Sequence, residues 1–261
     1  MKSRRSFLQQ LKALSLGITP LPFFQTAQGH DLLKAIKNKQ SLSIDTITKD
    51  EDFWQLIKQA YTVSPTILNL NNGGVSPQPK VVQDAVERYN ALCNEAPSFY
   101  MWRTLDQGRE PLRSKLAELA GCSAEELAIN RNTSEALETV IFGLRLKAGD
   151  EVVLSKQDYP NMRNAWKQRA LRDGIQLKWL NIKYPSEDKN HLIEQYVSAF
   201  TENTKVVHLT HILNWNGQIL PVAEIAVEAQ KRGIEVIVDA AHTFAHLVYT
   251  IPSLNLSLIH I

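Results

Sequence analysis

Apolar positions along the chain follow two rhythms, a helical one in the first third and an alternation of strand-like runs with helical stripes after it. From His30 to Val63 the spacing is helical, with Leu32, Leu33 and Ile36 on one stripe and Phe53, Trp54 and Ile57 on another. The run Ile67-Leu68-Asn69-Leu70 reads as a short strand entering a polar turn, Asn71-Asn72-Gly73-Gly74-Val75-Ser76-Pro77. Its paired glycines permit positive φ and close backbone approach. Ser76 is placed to cap the next helix with Pro77 at its first position, and Val81, Val82, Ala85 and Tyr89 supply that helix's apolar stripe. A further helix over Glu110 to Leu119 is expected to stop at Gly121.

From there strands and helices alternate. Strands are expected at Leu127–Ile129, Glu151–Leu154, Ile175–Leu180, Lys205–Leu209 and Ile234–Val238. Between them lie helical stretches: one carrying Leu137, Val140, Ile141 and Leu144, then Asn161–Leu171, Asn190–Phe200 and Val222–Lys231. Val- and Ile-rich runs interleaved with helices imply an α/β fold, a three-layer sandwich around a mostly parallel sheet. The domain reading is a leader over 1–28, a helical segment over 29–75, and an α/β domain from 76 to 261.

In such sheets ligands bind beyond the carboxyl ends of the strands, and four polar clusters fall there. Arg131-Asn132-Thr133-Ser134-Glu135 opens a helix, with Thr133 or Ser134 as its cap; a helix N-terminus carrying hydroxyls suits a phosphate. Asp158-Tyr159-Pro160-Asn161 offers an aromatic ring that can stack on a planar group. His208-Leu209-Thr210-His211 leads into a loop with Asn214 and Gly217, where His211 and Asn214 offer hydrogen bonds. Asp239-Ala240-Ala241-His242 places a carboxylate at the end of an apolar strand, where it needs a partner such as a protonated pyridine nitrogen. Each cluster also has a purely structural reading, as an N-cap, a turn or an ion pair. His208 and His211 do not share a strand face, so a metal site is not expected.

Composition narrows the class. The net charge is +2, from 29 basic and 27 acidic residues, with no basic run, so nucleic acid is not an expected partner. Met1-Lys2-Ser3-Arg4-Arg5-Ser6-Phe7-Leu8 has the form of a twin-arginine export signal, followed by an apolar stretch that Pro20 and Pro22 break. That stretch is too short for a stable membrane span, and the expectation is a periplasmic or exported protein cleaved near Ala27. Cys93 and Cys122 lack metal-ligand spacing and read as two free, buried thiols, with a disulfide open to an exported protein.

Together, Leu70 to Pro77, Arg131 to Glu135, Asp158 to Pro160, Asn214 to Pro221 and Asp239 to His242 resemble the class V aminotransferases. These are fold-type I pyridoxal 5'-phosphate (PLP) enzymes, and the likeness is to their isopenicillin-N-epimerase-like and cysteine-desulfurase-like members. It covers roughly Ile67 to Leu247. The resemblance implies that Thr133 and Ser134 hold the cofactor phosphate and that Tyr159 stacks on the pyridine ring. It implies that Asn214 meets the phenolic oxygen, that Asp239 pairs with the ring nitrogen and that His242 lies near the ring. Asn71 and Asn72 would lie at the substrate end. An amino-acid-like substrate, transamination, epimerisation or related Cα chemistry, and a homodimer are likewise implied. The family's Schiff-base lysine follows the Asp-x-Ala-His element in a Ser-x-His-Lys-like stretch, whereas here the last lysine is Lys231. The expectation is therefore a large domain incomplete at its C-terminus and inactive by itself. Retention of the cofactor without turnover, and a plain exported α/β protein, are the competing readings.

Overall fold

The computed structural model describes residues 34–39, 41–72, 75–256 and 258–260. The expected leader, Leu32, Leu33 and the Gly73-Gly74 pair lie outside them. The chain divides into two compact units, Met1–Arg109 and Glu110–Ile261.

In the first unit residues 34–39 are helical. They precede α1 (Ile44–Thr48), α2 (Glu51–Gln59) and α3 (Lys80–Glu95). Side chains start the first two: Ser43 Oγ accepts from the Thr46 N–H at 3.1 Å, and Asp50 Oδ1 from the Phe53 N–H at 3.0 Å. The stripes expected on separate faces meet in one cluster, with Ile47 and Phe53 buried against Ile36, Trp54 and Ile57.

Ser76 does not cap α3. That helix begins at Lys80, whose N–H donates to the Ala60 carbonyl at 2.8 Å, while Pro79 bridges Tyr61. This longer-range anchor fixes the start three residues later than the Ser-Pro signal suggests. Ile67–Leu70 is not a strand either. The Ile67 N–H goes to Ser64 Oγ and the Asn71 N–H to Asn69 Oδ1, so local side chains take the groups that a ladder would use. Ile67, Leu68 and Leu70 stand exposed.

The second unit is built on five parallel strands: β1 (Glu151–Ser155), β2 (Gln176–Leu180), β3 (Thr204–Thr210), β4 (Glu235–Asp239) and β5 (Leu258–His260). Their order across the sheet is β2-β1-β3-β4-β5. The helices are α4 (Arg109–Ala120), α5 (Thr133–Gly143), α6 (Pro160–Asp173), α7 (Lys189–Val197) and α8 (Val222–Gln230).

Strand alternation sorts the core into two layers. Val152, Leu154, Val206 and Ile237 pack with Leu137 and Ile141 of α5 and Met162, Ala165 and Trp166 of α6. Their neighbours Val153, Val207, Leu209, Val236 and Val238 pack with Leu192 and Tyr196 of α7 and Ile225, Ala226 and Ala229 of α8. The sheet is thus covered on both faces, as its continuous apolar runs require.

Buried Arg169 ties two helices of one layer together. Its guanidinium donates to the Ile141 carbonyl, and to Leu144 O at 2.5 Å, so a side chain of α6 satisfies carbonyls at the end of α5. Leu127–Ile129 remains a loop, because the Arg113 guanidinium takes the Ala124 and Leu127 carbonyls at 2.5 and 3.4 Å. Cys93 and Cys122 are free and half-buried rather than fully buried. Among the described residues no helix is long and apolar enough to cross a membrane.

Candidate functional site

Strand order reverses beside β1. The chain leaves β1 for β2 on one side and then builds β3, β4 and β5 on the other. A crevice forms beyond the carboxyl ends at such a switch point, where the two crossovers diverge. The residues that follow β1 and β3 therefore converge there, and those ending β4 lie one strand further on.

The segment after β1 is held by its own carboxylate. Asp158 Oδ2 accepts the Ser155 N–H at 2.7 Å, which closes a tight turn before Pro160 opens α6. Asp158 Oδ1 accepts the Thr210 hydroxyl at 2.9 Å, a bond that joins the end of β1 to the end of β3 across the switch point. Asp158 is only 2% exposed. Burial pushes its carboxyl up to about 7; the bonds from Ser155 and Thr210 oppose this, and the nearby Asp239 charge adds to it. Tyr159, the next residue, is 41% exposed.

Asp239 ends β4, paired in register with Thr210. It is 5% exposed, and its Oδ1 accepts the Ala241 N–H at 3.1 Å. Among the described residues it forms no ion pair. Burial raises its pKa, the Ala241 hydrogen bond lowers it, and so does the charge of His242, which is half-buried nearby. His211 follows β3, and its backbone N–H donates to the Asp239 carbonyl at 2.9 Å. The His211 ring packs edge-on against Tyr249 at 5.4 Å, and its Nδ1 is buried without a hydrogen-bond partner. Burial lowers the imidazole to about 4, so it is neutral at physiological pH.

Asn214 stands exposed in the loop after His211. That loop closes on itself: the Leu213 N–H donates to Gln218 O at 3.0 Å, and the Gly217 N–H to Leu213 O at 2.9 Å with Gly217 at φ +75.

The cap of α5 is Asn132, not Thr133 or Ser134. Its side chain accepts the Glu135 N–H at 2.9 Å, and this moves Thr133 and Ser134 into the first turn. Ser134 Oγ receives Asn161 Nδ2 at 3.3 Å, linking this turn to the Tyr159 segment. A cavity of about 400 Å³ opens beside Ser134, lined also by Arg131, Asn132, Glu135 and Glu138.

Thr133, Ser134, Tyr159, Asn214, Asp239 and His242 thus all belong to the second unit and lie on segments at strand ends or the α5 N-terminus. Asn71 and Asn72 belong to the first unit, exposed, with Asn72 Oδ1 accepting Asn69 Nδ2 at 2.8 Å. Two site residues were not assigned from the sequence. Asp158 was visible only as part of a turn, and Thr210 only as the end of an apolar run. The available signal was the three-residue step from Ser155 to Asp158, the spacing at which a carboxylate closes a turn onto a backbone N–H.

Comparison with known proteins places this arrangement. The chain is 31% identical over 189 residues to isopenicillin N epimerase of Streptomyces clavuligerus, covering 72% of this chain and 48% of the relative. It is 28% identical over 207 residues to a probable cysteine desulfurase of Synechocystis, covering 76% and 48%. The chain spans about half the length of the curated relatives it matches. Among solved structures it is similar to a mutant of C-DES with glycine covalently linked to its PLP cofactor. There the TM-score is 0.66 at 25% identity, covering 74% of this chain and 51% of that one. It is similar too to the cystine C-S lyase C-DES in complex with its product cysteine persulfide, with a TM-score of 0.65 at 26% identity, covering 71% and 50%. The profile of aminotransferase class-V matches residues 68–259, most of the sequence, and with the sheet order and strand-end residues described above the chain belongs to the class-V aminotransferase family.

Proposed function

We propose that this chain forms the cofactor-binding part of a PLP-dependent enzyme acting on an amino acid, and that these 261 residues hold the cofactor without turning substrate over. The observation that carries the reading is Asp239. A carboxylate 5% exposed at the end of a central strand, with no ion pair among the described residues, is costly unless a cation meets it. The protonated ring nitrogen of PLP is such a cation. The hydroxyls in the first turn of α5 fit its phosphate, since the free N–H groups and dipole of that turn favour an anion.

When bound, PLP supplies an electron sink for charge left on a substrate carbon. The chain's own residues bind and orient. Asp239 keeps a proton on the ring nitrogen. Thr133 and Ser134 hold the phosphate, and Tyr159 offers a face for stacking. Asn214 and His242 offer hydrogen bonds to the ring's substituents. Moving a proton at the substrate carbon needs a base, and no lysine follows Lys231 within the 261 residues. The relatives include cysteine desulfurases, which act on an amino acid, and this supports that substrate class.

Titrating PLP into the purified chain, followed by absorbance and by quenching of tryptophan fluorescence, tests the reading. Asp239→Ala should weaken binding by about tenfold or more, the loss expected when a desolvated cation loses its partner. Unaltered affinity in that variant would sink the cofactor assignment. A PLP adduct trapped by borohydride on a lysine, together with turnover of amino acids, would sink the claim that these residues do not catalyse.

A further inference from the structure

The carboxyl of Asp158 is not needed to contact the cofactor, yet it is the most constrained acid of the site. Both its oxygens are committed, one to the Ser155 N–H at 2.7 Å and one to the Thr210 hydroxyl at 2.9 Å. Thr210 lies opposite Asp239 in the parallel register of β3 and β4, so the two side chains project from the same face at adjacent strand ends. The Thr210 hydroxyl donates to Asp158. Two buried carboxyls therefore flank one threonine, at the switch point of the sheet.

The groups around Asp158 offer little to offset a second negative charge. From β4 comes Asp239, itself an acid, with His242 beyond it. From α6 comes Arg163, whose guanidinium donates to the Lys156 carbonyl at 2.5 Å and offsets the Asp158 charge only as the smallest of the influences on it. From the loop after β2 and from α7 come Tyr184 and Tyr196, whose phenols burial keeps protonated. Two carboxyls sharing a site with so little compensating charge cannot both ionise freely.

We propose that Asp158 is a positioning residue whose carboxyl, locked between Ser155 and Thr210, sets the charge that Asp239 presents to a bound ring cation. The inference rests on the cofactor reading above for the identity of that cation. While Asp158 is neutral, Asp239 acts as a single charge with its strand end held in place. Once Asp158 ionises, a second negative charge stands behind Asp239, and the hold on the cation tightens. Burial places that change at about 7, within the working range of most enzymes.

The test uses the full chain, first without ligand. Carbon-13 spectra of labelled aspartate carboxyls, taken from pH 5 to pH 9, should show an Asp158 midpoint near 7. In Asp239→Asn that midpoint should fall by roughly half a unit or more, because the neighbouring charge is gone. The dissociation constant of PLP is then measured across the same range for the parent and for Asp158→Asn. An asparagine there can accept from the Ser155 N–H and donate to Thr210 Oγ1, so the strand ends stay joined. Relative to that variant, the parent should gain affinity several-fold as pH passes 7; titration of the free cofactor cancels in the ratio. If Asp158→Asn fails to fold, Thr210→Val replaces it, and loss of that donor should shift the Asp158 midpoint upward. An Asp158 that is ionised throughout, or whose midpoint ignores Asp239→Asn, overturns the proposal whatever PLP does. A ratio flat with pH overturns it as well. Coupled carboxyls in a chain that retains no PLP at any pH would defeat the cofactor reading and support the coupled pair.

Discussion

Single residues set the local geometry of the second unit, and Gly121 shows how tightly. It ends α4 at φ +70, with the Cys122 N–H reaching back to the Ala117 carbonyl at 3.1 Å. A Cβ there would lie 2.7 Å from both Cβ and Cγ2 of Thr250. Thr250 is β-branched, so it cannot swing aside cheaply. Gly121→Ala should therefore lose about 1–2 kcal/mol from the left-handed backbone alone, with the close contact adding to it. Chemical denaturation of parent and variant measures the difference, and a midpoint unchanged within error would refute the account. The helix stop at Gly121 was legible in the sequence, since glycine after a helical stripe is a strong stop. Its contact with Thr250 was not, because the two residues are far apart along the chain.

At the scale of elements, the parallel strands were legible and their neighbours less so. The expected strands at Glu151–Leu154, Lys205–Leu209 and Ile234–Val238 fall within a residue of β1, β3 and β4, because strands covered on both faces leave continuous runs of Val, Ile and Leu. The same signal at Ile67–Leu70 and Leu127–Ile129 marked no strand. A strand exists only with a ladder partner, and there local side chains or Arg113 take the backbone groups instead. Caps moved for a similar reason. Asn132 competes with Thr133 and Ser134 for one N–H group, and the sequence alone does not rank them. Arg169 marks the opposite case, a helix end that no local pattern announces. Arg169 is 4% exposed, and its guanidinium serves the end of α5 from α6. Arg169→Met keeps the length of the stem but leaves those carbonyls unsatisfied. It should cost about 2–4 kcal/mol, the penalty for leaving two buried acceptors without a donor. Hydrogen exchange should quicken first in the last turn of α5; uniform change across the unit would argue against a capping role.

At the scale of the whole molecule, buried titratable groups set how stability depends on pH. Asp158 is raised from 3.8 to about 7, so its contribution is full below 3.8 and is lost as pH rises through about 7. His208 is lowered from 6.5 to about 4 by burial, so its contribution is present above 6.5 and is lost as pH falls toward 4. His211 shifts in the same direction for the same cause. Between pH 4 and 6.5 the two imidazoles act against Asp158 and Asp239, both raised by burial, so the two kinds of group pull stability in opposite directions as the solution is acidified. His208 offers the cleaner test. It is fully buried, neither ring nitrogen has a partner, and its ring meets Trp166 edge-on at 6.3 Å. Phenylalanine keeps that edge contact and cannot take a proton. Any packing cost of His208→Phe is the same at every pH, so it drops out of a comparison across pH. Relative to the parent, the variant should gain about 3 kcal/mol between pH 7 and pH 4.5, from some two units of titration avoided. Urea unfolding at half-unit steps measures the difference between the two proteins. A difference that stays level over that range would mean His208 takes its proton without unfolding the chain, and that the layer between β3 and α6 is more open to water than its packing implies.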